Sequence, residues 1–161
     1  ACFLENASYN KEEILSLLHQ IVEKNLEIYG STIAYEDSPF EGKSSGFAPF
    51  FYKDDGKIAF SDLSQESGGY SSLDWYQIPK ELSRPQWSEP YYTGGGSKIL
   101  MATYSVPFYR AVKGEKQFMG VVTADISLEW LQKVVASIKV LQTGYGILIS
   151  KNGTLVTHPL K

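Results

Sequence analysis

The sequence predicts an α+β fold in which a long amino-terminal helix precedes a central antiparallel sheet with flanking helices. Three observations carry that prediction. A single amphipathic stretch occupies residues 10–29 near the start of the chain. Farther on, apolar runs are joined in pairs by Asp54-Asp55-Gly56-Lys57 and by Lys113-Gly114-Glu115, short turns that set consecutive strands antiparallel. Strands and helices also fail to alternate regularly, as a parallel α/β sheet would require. At 161 residues the chain can bury a real core, as one domain or as one domain plus a fragment of a second.

Each element has its own signal. Asn10 is a helix cap with Glu13 three residues on, and Tyr9 can staple onto Ile14. Ile14, Leu17, Leu18, Ile21, Val22 and Ile28 recur at three- and four-residue spacing, and Gly30 is a suitable stop. The helix so defined spans about 19 residues, roughly 28 Å. Ser31–Tyr35, Phe47–Tyr52 and Lys57–Leu63 read as strands, the last two forming a hairpin. Residues 64–98 hold Gly68-Gly69, Gly94-Gly95-Gly96, three prolines and two of the three tryptophans, which marks loop and short helix rather than sheet. Such a long aromatic segment reads as a functional loop. The glycine run before Ser97 and Lys98 reads as a hairpin tip, since no helix pattern follows it to cradle a phosphate. Ile99–Tyr109 and Gln117–Ile126 then pair as strands. Ser127 caps a second helix carrying Leu128, Leu131, Val134, Val135 and Ile138, and Tyr145–Ser150 with Thr154–His158 forms a hairpin turning at Asn152-Gly153.

Composition excludes several classes of function. Fifteen Lys and Arg stand against eighteen Asp and Glu, a net charge of −3 with no cationic run, so a nucleic-acid surface is not expected. The single cysteine, Cys2, allows no internal disulfide, and His19 and His158 form no metal-ligand pattern. No apolar stretch reaches the roughly 20 residues that cross a bilayer, and no signal peptide is visible. Nucleophile elbows, P-loops and dinucleotide fingerprints are absent, so no catalytic residue, cofactor or metal is expected. The aromatic content of 14%, led by eleven tyrosines, suits either pockets for small polar ligands or a β-rich core.

Three stretches remain as site candidates: Asp74–Lys80, Trp87–Tyr92 and Gly120–Asp125. Strand alternation puts Val121, Thr123 and Asp125 on one face of the last stretch, with Val122, Ala124 and Ile126 on the other. A carboxylate facing aromatic walls would suit a ligand cation. The alternative is that Asp125 is solvated or caps the following helix.

The order and spacing of W-Y-x-x-P-K, W-S-E-P-Y-Y, T-Y-S-V-P-F-Y, G-V-V-T-A-D-I-S-L-E-W-L and G-Y-G-I-L-I-S-K-N-G-T-L-V-T-H-P resemble the double-Cache family of extracellular sensor domains. The resemblance runs from the first helix to His158. It implies the PAS-like Cache fold, with a stalk helix over residues 1–30, a membrane-distal ligand-binding module over 31–143, and the start of a membrane-proximal module or a terminal hairpin over 144–161. It implies a parent receptor in the cell membrane, with this domain extracellular or periplasmic and a kinase, phosphatase, cyclase or chemotaxis output inside. A homodimer is implied as well. Trp75, Tyr76, Tyr91 and Asp125 match the family's pocket positions, and they are expected to converge on one cavity.

Two positions depart from the amino-acid-binding members. Leu73 stands where those carry an arginine that clamps the ligand carboxylate, and Thr93 stands where they carry an aspartate. Lys80 or Arg84 could replace the arginine only as a point charge or from another position. The expected ligand is therefore an amine or amine-bearing metabolite, held by Trp75, Tyr76, Tyr91, Thr93, Lys80 and Asp125. The competing expectation is a ligand-free structural or dimerisation module, or a reader of a periplasmic protein.

Overall fold

The computed structural model describes residues 1–40, 46–65, 68–93 and 99–158. The glycine run and Lys98 therefore lie outside the described residues. A short helix, α1 (Cys2–Asn6), leads into α2 (Lys11–Lys24). Asn10 and Glu13 form the expected capping box: the Glu13 N–H donates to Asn10 Oδ1 at 2.9 Å, and the Asn10 N–H donates to Glu13 Oε2 at 2.8 Å. Tyr9 stacks edge-on against Phe3 of α1.

The helix is shorter than its periodicity suggests. It ends at Lys24, not near Tyr29, and Gly30 sits inside a strand instead of stopping a helix. Two groups terminate it. Asn25 turns extended and donates its side-chain N–H to the Ile21 carbonyl at 2.7 Å, and Lys53 donates to the carbonyls of Asn25 and Leu26. Ile28 onward is then free to enter the sheet, where its backbone groups find partners on both sides.

The main sheet is antiparallel, in the order β3-β2-β1-β7-β6-β4, with β5 also on β6. Its strands are β1 (Ile28–Tyr35), β2 (Pro49–Asp54), β3 (Lys57–Asp62), β4 (Gln86–Trp87), β5 (Tyr91–Tyr92), β6 (Leu100–Val112) and β7 (Glu115–Ser127). Both hairpins turn where expected. Asp55 and Gly56 adopt φ of 45° and 75°, and Lys113 and Gly114 adopt 52° and 86°, the positive values that two-residue turns between twisted strands need.

β1 is the centre of the sheet and divides its side chains between two cores. On one face Ile33 and Tyr35 join Leu4, Ile14, Leu18, Phe47 and Phe108 beneath α1 and α2. On the other, Ala34 joins Ala48, Tyr70, Tyr76 and Val121 beneath α3 (Asp74–Leu82). Among the described residues between β3 and β6, α3 lies over this second face, while β4 and β5 join the sheet on β6, where loop and short helix alone were expected.

α4 (Leu128–Ser137) follows β7 directly, with Ser127 at its N-cap position but making no side-chain cap hydrogen bond, contrary to expectation. The expected terminal hairpin forms with shorter strands, and Tyr145 belongs to a second small pair before it. Lys139–Val140 (β8) pairs with Gly144–Tyr145 (β9), and Leu148–Ile149 (β10) pairs with Leu155–Thr157 (β11), in two small sheets separate from the main one. No helix among the described residues is long and apolar enough to cross a membrane.

The capping box is the local feature most cleanly removed. Asn10→Ala should lower unfolding stability by about 1 kcal/mol without altering the fold, read from the midpoint of a urea titration at unchanged slope.

Candidate functional site

The face of the sheet beneath α3 is built in cross-strand rows. Register pairs Gly30 with Asp125 and Asp125 with Thr103 across β1, β7 and β6. Two residues along, Thr123 lies between Thr32 and Ser105; two further, Val121 lies between Ala34 and Pro107. Side chains alternate along a strand, so these nine positions share one face. The row at Val121 is apolar, and the other two are polar and buried.

Asp125 is 4% exposed. Its Oδ1 accepts a hydrogen bond from the Thr103 hydroxyl at 2.8 Å, and the Thr103 oxygen lies 2.7 Å from the Tyr91 hydroxyl. Thr103 is itself fixed by Ser88, the residue after β4: its N–H donates to Ser88 Oγ, and its carbonyl accepts from the Ser88 N–H, both at 2.9 Å. Burial pushes the Asp125 carboxyl up to about 7, against the lowering influence of the Thr103 hydrogen bond. Burial and the nearby Asp125 raise the Tyr91 hydroxyl as well.

The aromatic side of this carboxyl comes from strands that sequence patterning did not connect to it. A Cβ added to Gly30 would lie 2.6 Å from the Phe50 ring and 3.2 Å from Asp125 Oδ2, so ring and carboxylate crowd the same bare α-carbon. Phe50 stacks on Tyr52, with centroids 5.2 Å apart, and Tyr52 lies against Tyr29. Only the absence of a side chain at position 30 lets Phe50 approach β1 here.

The six expected ligand-binding residues fall into separate groups. Tyr91 and Asp125 meet through Thr103. Trp75 and Tyr76, at the start of α3, pack with Tyr70 over Ala34 and Val121 on the same face, about 13 Å along β7 from Asp125. Tyr76 is fully buried, and its hydroxyl donates to Glu36 at 2.6 Å. Lys80 is not near Asp125. It donates to the other oxygen of Glu36 at 2.5 Å, with its ammonium over the Tyr76 and Phe118 rings. Burial opposes the Glu36 charge, but the hydrogen bonds from Lys80 and Tyr76 outweigh it and hold the carboxyl below its ordinary range. Lys80 is thereby used to anchor α3 to the end of β1, which corrects its expected role. Arg84 is exposed just beyond α3. Thr93 accepts from the Ile99 N–H through its hydroxyl, at 3.1 Å, and donates its own N–H to the Ile99 carbonyl. Leu73, at the arginine position, is 47% exposed.

The family model for the first PDC sensor domain of methyl-accepting chemotaxis protein-like receptors matches residues 14–133. The chain belongs to this family. The Cache-type sensor fold that the motifs implied is thus the fold observed. Methyl-accepting chemotaxis protein PscA of Pseudomonas syringae pv. tomato is 33% identical over 85 residues, 53% of this chain and 13% of that protein. The extracellular domain of mmHK1S-Z3, assigned as a histidine kinase, has a TM-score of 0.79 at 27% identity, covering 98% of this chain and 59% of that one. The ligand-binding domain of the Pseudomonas aeruginosa amino acid chemoreceptor PctC, in complex with GABA, shares the fold at a TM-score of 0.62 and 21% identity, over 98% of this chain and 61% of that one. This sensor domain therefore spans only part of each relative it matches.

The raised Asp125 carboxyl makes stability depend on pH in a definite direction. The folded group titrates near 7 and the unfolded one near 3.8. Between those values the folded sensor domain holds a proton that the unfolded chain has lost, so stability falls as pH rises through the interval. Asp125→Asn should remove that slope. In thermal unfolding it should gain on the wild type above pH 7 by a few kcal/mol and lose the advantage below about pH 4.

Proposed function

We propose that this domain senses a small amine-bearing molecule, bound on the face that carries Asp125, and passes that state across a membrane to a cytoplasmic output. The observation that carries the reading is Asp125 itself, a carboxyl held 4% exposed with one hydroxyl donor among the described residues. A shielded carboxylate is costly without a cation or several donors, and a ligand ammonium supplies both. Tyr91 and Phe50 provide the aromatic walls that favour such a cation. Trp75 and Tyr76, farther along the same face, line the other end of a ligand extended along β7.

The ligand of one structural neighbour is itself an amine: GABA, bound by PctC, carries an ammonium. Its carboxylate needs a partner that this chain does not place at position 73, where Leu73 opens α3. The ligand class is therefore an amine for which a carboxylate is not required.

The surrounding receptor belongs to the same proposal. Residues 1–30 form the segment leading in from the membrane, 31–143 the ligand-binding module, and 144–161 the beginning of a membrane-proximal module. The full-length protein is a homodimeric membrane receptor with this domain outside the cytoplasm, and any kinase or chemotaxis output lies beyond this chain. The sensor domain itself has no chemical step.

Calorimetric titration of the domain with n-butylamine at pH 8 tests the reading. Saturable binding is expected, and Asp125→Ala should weaken it by about 30-fold or more. Binding of equal strength in Asp125→Ala, or none in the wild type, would remove the proposed site.

A further inference from the structure

The row Thr32–Thr123–Ser105 lies one step along the sheet from Asp125, and two of its three hydroxyls, those of Thr32 and Ser105, serve no hydrogen bond among the described residues. Thr32 is 2% exposed, Thr123 3% and Ser105 1%. Among the described residues the hydroxyls of Thr32 and Ser105 are fully buried and have no hydrogen-bond partner. Buried hydroxyls left this way cost stability, and valine or alanine would fill the same space without the cost.

The backbone of β1 is also arranged around this row. The Ser31 hydroxyl donates to the Thr123 carbonyl at 2.6 Å, and the Thr32 N–H donates to Thr123 Oγ1 at 3.1 Å. Side chains thus replace the ordinary strand-to-strand contact between β1 and β7 at this point. Thr123 is held with its hydroxyl proton still to give, between two hydroxyls that can both give and accept.

We propose that this hydroxyl row is the second anchor of the ligand, and that it takes a neutral hydrogen-bonding group such as a hydroxyl or an amide. The inference rests on the Asp125 reading, which supplies the first anchor. Adjacent rows on one face are about 6.6 Å apart. An extended four-carbon chain between nitrogen and oxygen spans a comparable distance. The group is neutral because the two lysines seen engaged around this sheet are committed elsewhere: Lys53 caps α2, and Lys80 is paired with Glu36. A ligand carboxylate there would be buried without a counter-charge, close to Asp125.

Three probes differ only at the far end: n-butylamine, 4-amino-1-butanol and 4-aminobutanoate. In calorimetric titrations the amino alcohol should bind about ten-fold more tightly than n-butylamine, and 4-aminobutanoate more weakly than the amino alcohol. Thr32→Val and Ser105→Ala should each narrow the gap between the first two while leaving n-butylamine affinity within about two-fold. Without ligand, both variants should melt higher than the wild type, whereas a structural role for the hydroxyls would make them melt lower. Equal affinity for n-butylamine and the amino alcohol overturns the second anchor and leaves the Asp125 site standing. Tightest binding of 4-aminobutanoate overturns the neutral group. Failure of all three probes to bind removes the Asp125 reading, and this inference with it.

Discussion

A carboxyl in the middle of a sheet has to be enclosed on every side, and the enclosure of Asp125 reaches into most of the fold. Below it, Gly30 contributes no side chain, so Phe50 can lean across from β2. Beside it, Thr103 gives the hydrogen bond and is itself held by Ser88, just past β4. The edge segment from β4 to β5 returns Tyr91 to the same hydroxyl. Five strands, β1, β2, β4, β5 and β6, thus arrange themselves around a residue on β7. A shift of one residue in any of these pairings would carry the partner side chain to the opposite face.

The two faces of the sheet share this work unequally. The face under α1 and α2 is an ordinary apolar core, where Ile14, Leu18, Ile33 and Phe108 are fully buried. It supplies the hydrophobic stabilisation. That leaves the face under α3 able to hold polar groups at a stability cost. α3 is then attached by polar contacts as well as packing: Tyr76 and Lys80 both grip Glu36 at the end of β1. The Tyr70 hydroxyl, raised to about 12 mainly by burial, donates to the Tyr35 carbonyl one residue away. The covering segment is therefore anchored at the end of the sheet far from Asp125. At the near end it is held to β6 by the pairing of β4 and β5, by Ser88 on the Thr103 backbone, and by Tyr91 on the Thr103 hydroxyl.

Local chemistry made much of this legible before any coordinates. Asp55-Gly56 and Lys113-Gly114 need only their own backbone preferences to turn, so both hairpins appear where the sequence puts them. Alternation along Gly120–Asp125 likewise set Asp125 and Thr123 on one face. What stayed hidden depends on partners distant in the chain. Ile28 satisfies the helical period as well as it satisfies a strand, and only Lys53, 28 residues beyond Asn25, settles where the helix ends. Lys80 looked available for a ligand because Glu36, 44 residues earlier, carries no signal of being its partner. Phe50 and Thr32 could not be joined to Asp125 without knowing that β1 lies between β2 and β7. Of the site, the sequence revealed the charged residue and its direction but not the hydroxyls and ring around it.

The same burial on which the proposed cation site rests also lets a proton compete for Asp125. Its carboxyl is pushed up to about 7, so close to neutral pH it is divided between a neutral acid and a carboxylate. The neutral form is the cheaper one to bury, and it remains hydrogen-bonded to Thr103. An ammonium arriving there must displace the proton or select the molecules that lack it. Its apparent affinity is therefore reduced by the fraction that is protonated, and its binding releases protons in the range where that fraction is large. A metal cation or a guanidinium would face the same competition, whereas a neutral ligand would not. On the proposed reading the carboxyl would discriminate by charge before any contact on the rest of the face is made, and that discrimination would sharpen as pH rises through 7 and the proton leaves of its own accord.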